Sequence, residues 1–176
     1  MATTYQIDPA HSSAHFAVRH MMVTNVRGSF SNVTGTVVYD SANLAASSLD
    51  ATIDATTINT NDEKRDGHLK SAEFLDVAQF PTITFKSKSI ANDGGDLKIT
   101  GDLTVHGTTK EVVLTADPLA PEGKDPWGGT RTGTSATTKI SREDFGLTWN
   151  AALETGGVMV SDELKITLDI QLTKAA

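Results

Sequence analysis

Five histidines, fifteen lysines and arginines and twenty-two aspartates and glutamates are the groups here that could move a proton, hold a metal or stabilise a developing charge. Three of the histidines, His11, His15 and His20, fall close together. On a helix the i, i+4 spacing of His11 and His15 would offer two imidazoles to one ion. The residues around them alternate, Ala14, Phe16, Val18 and His20 against His15, Ala17 and Arg19, which reads as extended chain. At about 3.3 Å per residue His11 and His15 then stand roughly 13 Å apart, and His20 falls on the other face from His15. No metal site is expected there. His20 reads as an interior hydrogen-bonded histidine or as a polar contact for the head group of a bound molecule.

Two arginine and acid groupings come next. Ser141-Arg142-Glu143-Asp144 sets an arginine beside two carboxylates, and Ser161-Asp162-Glu163 offers an acidic partner just before a strand. Such sets fix a corner of a fold more often than they catalyse, because catalysis also needs a base of shifted pKa in a cleft. The sequence contains no G-x-S-x-G, P-loop, G-x-G-x-x-G or H-E-x-x-H segment. With no cysteine there is no thiolate nucleophile, disulfide, zinc–thiolate site or iron–sulfur cluster. No cofactor is implied, and an enzyme is not the expected class. The catalytic alternative is lipid chemistry through His20 or through Arg142 with Asp144.

A net charge of −7 without a basic run repels phosphate backbones, so nucleic acid is not an expected partner. The first twenty residues hold no continuous apolar run of signal-peptide length, and no stretch approaches the roughly 20 apolar residues of a membrane span. A cytoplasmic protein is expected, the alternative being an exported mature chain with Met1 added.

The elements that must position these residues have a period of two. Leu164, Ile166, Leu168, Ile170 and Leu172 alternate with Lys165, Thr167, Asp169 and Gln171, and Leu97, Ile99, Gly101, Leu103 and Val105 alternate with polar neighbours in the same way. Leu49, Ala51, Ile53 and Ala55 give a shorter run. Further strands are expected at 3–8, 13–20, 30–39, 82–90, 111–117 and 130–140. Dense turn signals, among them Asn92-Asp93-Gly94-Gly95, His106-Gly107 and Gly156-Gly157, imply an antiparallel meander. Closing such a meander removes its two edges, so the 176 residues are expected to form one all-β domain, an antiparallel barrel of about eight strands able to hold one small ligand.

One short capping helix is expected at about 60–75, where Thr60 and Glu63 have capping-box spacing. The run Asp62, Glu63, Lys64, Arg65 and Lys70 has almost no apolar stripe before Leu69, Phe74 and Leu75, which suits a surface cap across a barrel end.

Several segments together resemble the YceI-like family. They are Ile7-Asp8-Pro9-Ala10-His11-Ser12, Phe16 with Val18 and His20, Lys64-Arg65-Asp66-Gly67-His68-Leu69-Lys70-Ser71-Ala72-Glu73-Phe74, and Phe80-Pro81-Thr82-Ile83-Thr84-Phe85. Gly101-Asp102-Leu103-Thr104-Val105-His106-Gly107-Thr108-Thr109-Lys110, Ser141-Arg142-Glu143-Asp144-Phe145-Gly146 and Val160-Ser161-Asp162-Glu163-Leu164-Lys165 complete the set, in the family's order. The resemblance implies a lipocalin-like barrel with an apolar tunnel for polyisoprenoids or other long-chain amphiphiles, and no shared catalytic reaction.

Inward parity gives the expected ligand contacts. On the N-terminal strands they are Phe16, Val18 and His20, then Val33, Val37 and Tyr39, then Ile53. Ile83 and Phe85 follow, then Leu97, Ile99, Leu103 and Val105, and finally Ile166, Leu168 and Ile170. The expected function is binding, sequestration or carriage of an isoprenoid, an isoprenoid quinone or a similar long-chain lipid. An interaction protein with a lumen packed solid is the second alternative. A homodimer is also expected, anchored by Trp127 in the Gly-rich 123–129 loop.

Overall fold

A computed structural model describes residues 2–21, 23–148 and 160–175. Its strands are β1 (Thr3–Ile7), β2 (Ser13–His20), β3 (Thr24–Phe30), β4 (Val33–Tyr39), β5 (Ser48–Asp54) and β6 (Thr82–Asp93). They continue with β7 (Asp96–Val105), β8 (Thr108–Ala116), β9 (Gly123–Lys124), β10 (Thr130–Ser141) and β11 (Val160–Lys174). The sheet order is β3-β2-β11-β1-β4-β5-β6-β7-β8-β10-β9, and pairing of β10 with β11 closes it.

Eleven strands make eight staves. β1 and β2 lie end to end along β11, with Tyr5 to Ile7 opposite Lys174 to Leu172 and Ser13 to Val18 opposite Asp169 to Leu164. β4 and β3 follow β1 and β2 in the same manner. The break between β1 and β2 is built by Asp8, whose side chain accepts from the Ala10 N–H (3.0 Å), and the break between β3 and β4 by Asn32 at φ 56°. β9 is a two-residue strip on β10. The result is the closed eight-stave antiparallel meander that the turn spacing predicts. The chain from 24 to 30 is itself a strand, where the alternation predicts one only from 30 onward. Gly156-Gly157, read as a turn, lies outside the described residues.

The period of two survives in the packing. On β11, Leu164, Ile166, Leu168, Ile170 and Leu172 point inward while Lys165, Thr167 and Asp169 are exposed. On β7, Leu97, Ile99, Gly101, Leu103 and Val105 are all buried. Gly101 has a packing reason: a Cβ there would stand 2.6 Å from the Phe85 ring and 2.5 Å from the Lys86 carbonyl.

The helix α1 spans Glu63–Lys70, shorter than the expected 60–75. Asp62, not Thr60, is its N-cap, accepting from the Lys64 and Arg65 N–H groups at 3.1 Å each. Asn61 at φ 64° turns the chain before the helix can begin, and Thr60 is buried and bound to two helix side chains instead. Its N–H and hydroxyl donate to Asp66 (2.9 and 2.5 Å), and Arg65 donates to its hydroxyl (2.8 Å) and carbonyl (2.6 Å). At the far end Ser71 donates to the His68 carbonyl (2.5 Å), and Phe74 and Leu75 turn into the core. Strand direction places α1 at the barrel end that also carries the connections 21–23, 106–107 and 142–147. The connections 40–47, 94–95 and 117–129 emerge at the other end. No helix among the described residues is long and apolar enough to cross a membrane.

Candidate functional site

The barrel is hollow. Its lumen holds a cavity of about 340 Å³, within the roughly 300–1,000 Å³ of small-molecule sites, and the wall is almost wholly apolar. All sixteen residues of the expected contact set lie on this wall. They are not equivalent. Val33, Ile83, Phe85, Leu97, Ile99, Leu103 and Val105 are buried, as packed core residues are. Phe16, Val18, His20, Val37, Tyr39, Ile53, Ile166, Leu168 and Ile170 point inward yet remain half-buried, because open lumen stands in front of them. A side chain that points into a barrel and still has accessible surface is the mark of unfilled space rather than of close packing.

Other wall residues escaped the sequence reading. Leu69, Phe74 and Leu75 come from α1 and the turn after it, and they reach the lumen because the helix lies across the barrel end. Val112, Leu114 and Ala116 come from β8, where the adjacent pair Val112-Val113 blurs the alternation. On β10 the inward positions are Thr134, Ala136, Thr138 and Ile140, too polar for an apolar pattern to show.

Among the polar residues on the wall, Arg65, His68, His20 and Arg142 come from elements at the α1 end. The His68 Nε2 is bonded to the Glu73 carboxylate, and its ring meets Phe74 edge-on at 5.0 Å. Arg142 is 3% exposed. Its guanidinium donates to the carbonyls of Leu147 (2.7 Å), Ser161 (2.8 Å) and Val160 (3.1 Å), tying the end of β10 to the start of β11. Burial pushes its pKa down, against the opposing fields of Asp162 and Glu143. The corner acid is Asp162, which accepts from the Ser141 hydroxyl (2.5 Å) and the Glu143 N–H (3.0 Å). Asp144 is exposed, and the acids whose fields act on Arg142 are Asp162 and Glu143.

The three N-terminal histidines are dispersed. His11 lies in the turn before β2, not on a strand, and its Nδ1 bonds Asp8 at 2.8 Å. Asp8 also accepts from Arg131 (2.6 Å), which reaches on to Asp125 (2.8 Å). Those bonds, from His11 first and then Arg131, hold the Asp8 carboxyl down to about 2. His15 is on the outer face against Ser13 (2.7 Å), and His20 is on the lumen wall. Among the described residues no three His, Asp or Glu side chains are placed to hold a metal.

Residues 5–172 match the YceI-like domain. The protein YceI of Escherichia coli O17:K52:H18 is 43% identical over 149 residues, covering 84% of this chain and 78% of that protein. The crystal structure of BcnA from Burkholderia cenocepacia superposes with a TM-score of 0.81 at 23% identity, over 94% of this chain and 98% of that one. A polyisoprenoid binding domain from Saccharophagus degradans, implicated in plant cell wall breakdown, gives 0.71 at 16% identity over 98% and 99%. Both structures share the barrel fold.

Proposed function

This chain belongs to the YceI-like family, and from that premise we propose that its barrel binds and carries a long-chain hydrophobic amphiphile of the polyisoprenoid class, without chemical turnover. The observation that carries the reading is the hollow lumen: an apolar cavity of about 340 Å³ whose inward side chains on β2, β4, β5 and β11 keep accessible surface. Moving one CH2 from water into such a lumen stabilises by about 0.8 kcal/mol, so each five-carbon unit contributes several kcal/mol before any polar contact forms. Lumen length and width then select the ligand, and Phe16, Val18, Val37, Tyr39, Ile53, Ile166, Leu168 and Ile170 are its principal contacts. The likeness in fold to a polyisoprenoid binding domain supports the ligand class.

A lumen packed solid, the interaction-protein alternative, is disfavoured by the same open space. The test is uptake of an added isoprenoid quinone by protein stripped with organic solvent. Ile166→Trp combined with Leu168→Trp fills the lumen from β11 and is expected to abolish uptake, while Thr167→Trp on the outer face leaves it intact. Uptake unchanged by the double variant would sink the proposal.

A further inference from the structure

Polar side chains are few on the lumen wall, and most of those that face the cavity already have a protein partner. Thr134 and Thr138 donate to the carbonyls of Asp117 (2.7 Å) and Val113 (2.8 Å), Arg142 donates to three carbonyls, and His68 is bonded to Glu73. His20 is different. It lines the lumen at the end of β2, between Thr24 of β3 and Val160 of β11, and no hydrogen bond or ion pair joins its imidazole to any described residue. An imidazole carries at least one N–H donor, and polar groups set into an apolar wall are ordinarily bonded. A ligand in the lumen can supply the partner that the protein does not.

The surroundings define that partner. Among the described residues the wall holds no Asp or Glu, in a chain that has 22 of them, and both of its arginines stand at the α1 end. Arg65 spends Nε and one terminal nitrogen on Thr60 (2.8 and 2.6 Å), which leaves the other terminal nitrogen without a described partner. This end of the lumen therefore offers donors to an oxygen. It offers no excess positive charge: Asp66 shares Thr60 with Arg65, Glu73 holds His68, and the fields of Asp162 and Glu143 act on Arg142. Asp62, Glu63, Asp144 and Glu163 are exposed around the same end. Donors without excess charge suit a neutral acceptor oxygen better than a phosphate, whose desolvation would go uncompensated. At the opposite end the wall donor is Tyr39, within electrostatic reach of Tyr5, and Tyr5 is bonded to the Glu122 carboxylate (2.6 Å). An acceptor oxygen held there would lie near a carboxylate that repels it.

We propose that the α1 end of the lumen is a head-group site, in which the His20 imidazole donates to the carbonyl oxygen of an uncharged head such as a quinone ring. The isoprenoid tail then runs along the apolar wall toward Tyr39, and Arg65 stands as a second donor at the head end. The assignment rests on the lumen-binding reading above and adds to it a direction for the ligand and a chemistry for its head.

The test is titration of the solvent-stripped full chain, followed by native mass spectrometry, with three ligands of one tail length: an isoprenoid quinone, the isoprenoid hydrocarbon and the isoprenoid phosphate. The parent is expected to bind the quinone more tightly than either of the others. His20→Leu removes the donor, leaves the carbonyl oxygen unpaired and is expected to weaken quinone binding roughly tenfold. The same variant should bind the hydrocarbon as the parent does, which also shows that the barrel is intact. His20→Gln keeps an N–H donor and is expected to recover most of the quinone affinity, while Tyr39→Phe is expected to leave it unchanged. Parent-like quinone binding by His20→Leu overturns the proposal, as does an equal loss of quinone and hydrocarbon, which would make His20 a packing residue. Loss at Tyr39→Phe in place of His20→Leu would reverse the ligand, and tighter binding of the phosphate would overturn the neutral head. In each of these cases the lumen reading stands; a parent that takes up neither quinone nor hydrocarbon removes that reading and the head-group site together.

Discussion

Replacing Ile166 by aspartate probes the barrel where sequence and lumen meet. Ile166 is half-buried on β11, opposite Phe16 on one side and Thr138 on the other. Neither neighbour can receive a carboxylate: one is a phenyl ring, and the Thr138 hydroxyl donates to the Val113 carbonyl at 2.8 Å. Full burial of an isoleucine side chain is worth about 1.5–3 kcal/mol, so a half-buried one forfeits about 1 kcal/mol. An unpartnered carboxylate on an apolar wall costs about 1–3 kcal/mol more, or takes up a proton. The expected loss is about 2–4 kcal/mol by urea titration of lipid-stripped protein at pH 7. Thr167→Asp, on the exposed face between His15 and Thr137, should cost less than about 0.5 kcal/mol. The sign with pH is fixed as well. A carboxyl whose folded pKa is raised binds its proton more tightly when folded, so the ionisation part of the Ile166→Asp deficit is full above that pKa and is gone below the unfolded value of about 3.9, where the burial loss alone remains. Equal losses at the two positions, or a deficit that grows with acid, would refute the period-two assignment and the lumen built on it.

Arg142→Ala leaves three carbonyls in a buried corner without their donor and is expected to cost about 3–5 kcal/mol in the same titration. A loss under about 1 kcal/mol would mean that this corner does not hold β10 to β11. Asp8, held down to about 2 by His11 and Arg131, contributes stability that is present above about pH 4 and lost as the pH falls toward about 2. The parent melting temperature should therefore fall more steeply than that of Asp8→Asn across that window; parallel curves would remove the cluster from the acid response. Tyr5 is pushed up to about 12, by burial first and then by its 2.6 Å bond to Glu122. In a Tyr39→Phe background, ultraviolet titration should find its midpoint near that value, and Glu122→Gln should bring it down; a midpoint near 10 would contradict the placement.

The barrel was legible where large inward side chains run long enough to show the period, as along β11 and, on both sides of Gly101, along β7. It was illegible where a short strand has its central inward position filled by a neighbour. On β3 the inward residues are Val26, Gly28 and Phe30, and the Phe16 ring occupies the place of the missing Gly28 side chain, so that a Cβ there would stand 2.4 Å from its Cζ. The alternation is cut in half and the strand is lost to a pattern search. On β10 threonines replace apolar residues because Thr134, Thr138 and Thr132 return their hydroxyls to nearby carbonyls at 2.5–2.8 Å, which lets polar residues line or flank a dry lumen. The helix start misled because Thr60 and Glu63 have capping-box spacing while Asn61 breaks the chain between them. Period and parity identified wall residues; they carried no information on how much space the wall encloses. That depends on side-chain volumes across the whole barrel, and only the half-burial of Phe16, Val37, Ile166 and Leu168 makes it visible.

Native mass spectrometry of the purified protein, before and after extraction with organic solvent, tests the central claim most directly. The expected result is a one-to-one adduct of several hundred daltons that extraction removes and an added isoprenoid quinone restores. Protein that carries no adduct and takes up no quinone after extraction would contradict the account, because an apolar cavity of about 340 Å³ would then be holding nothing that its chemistry calls for.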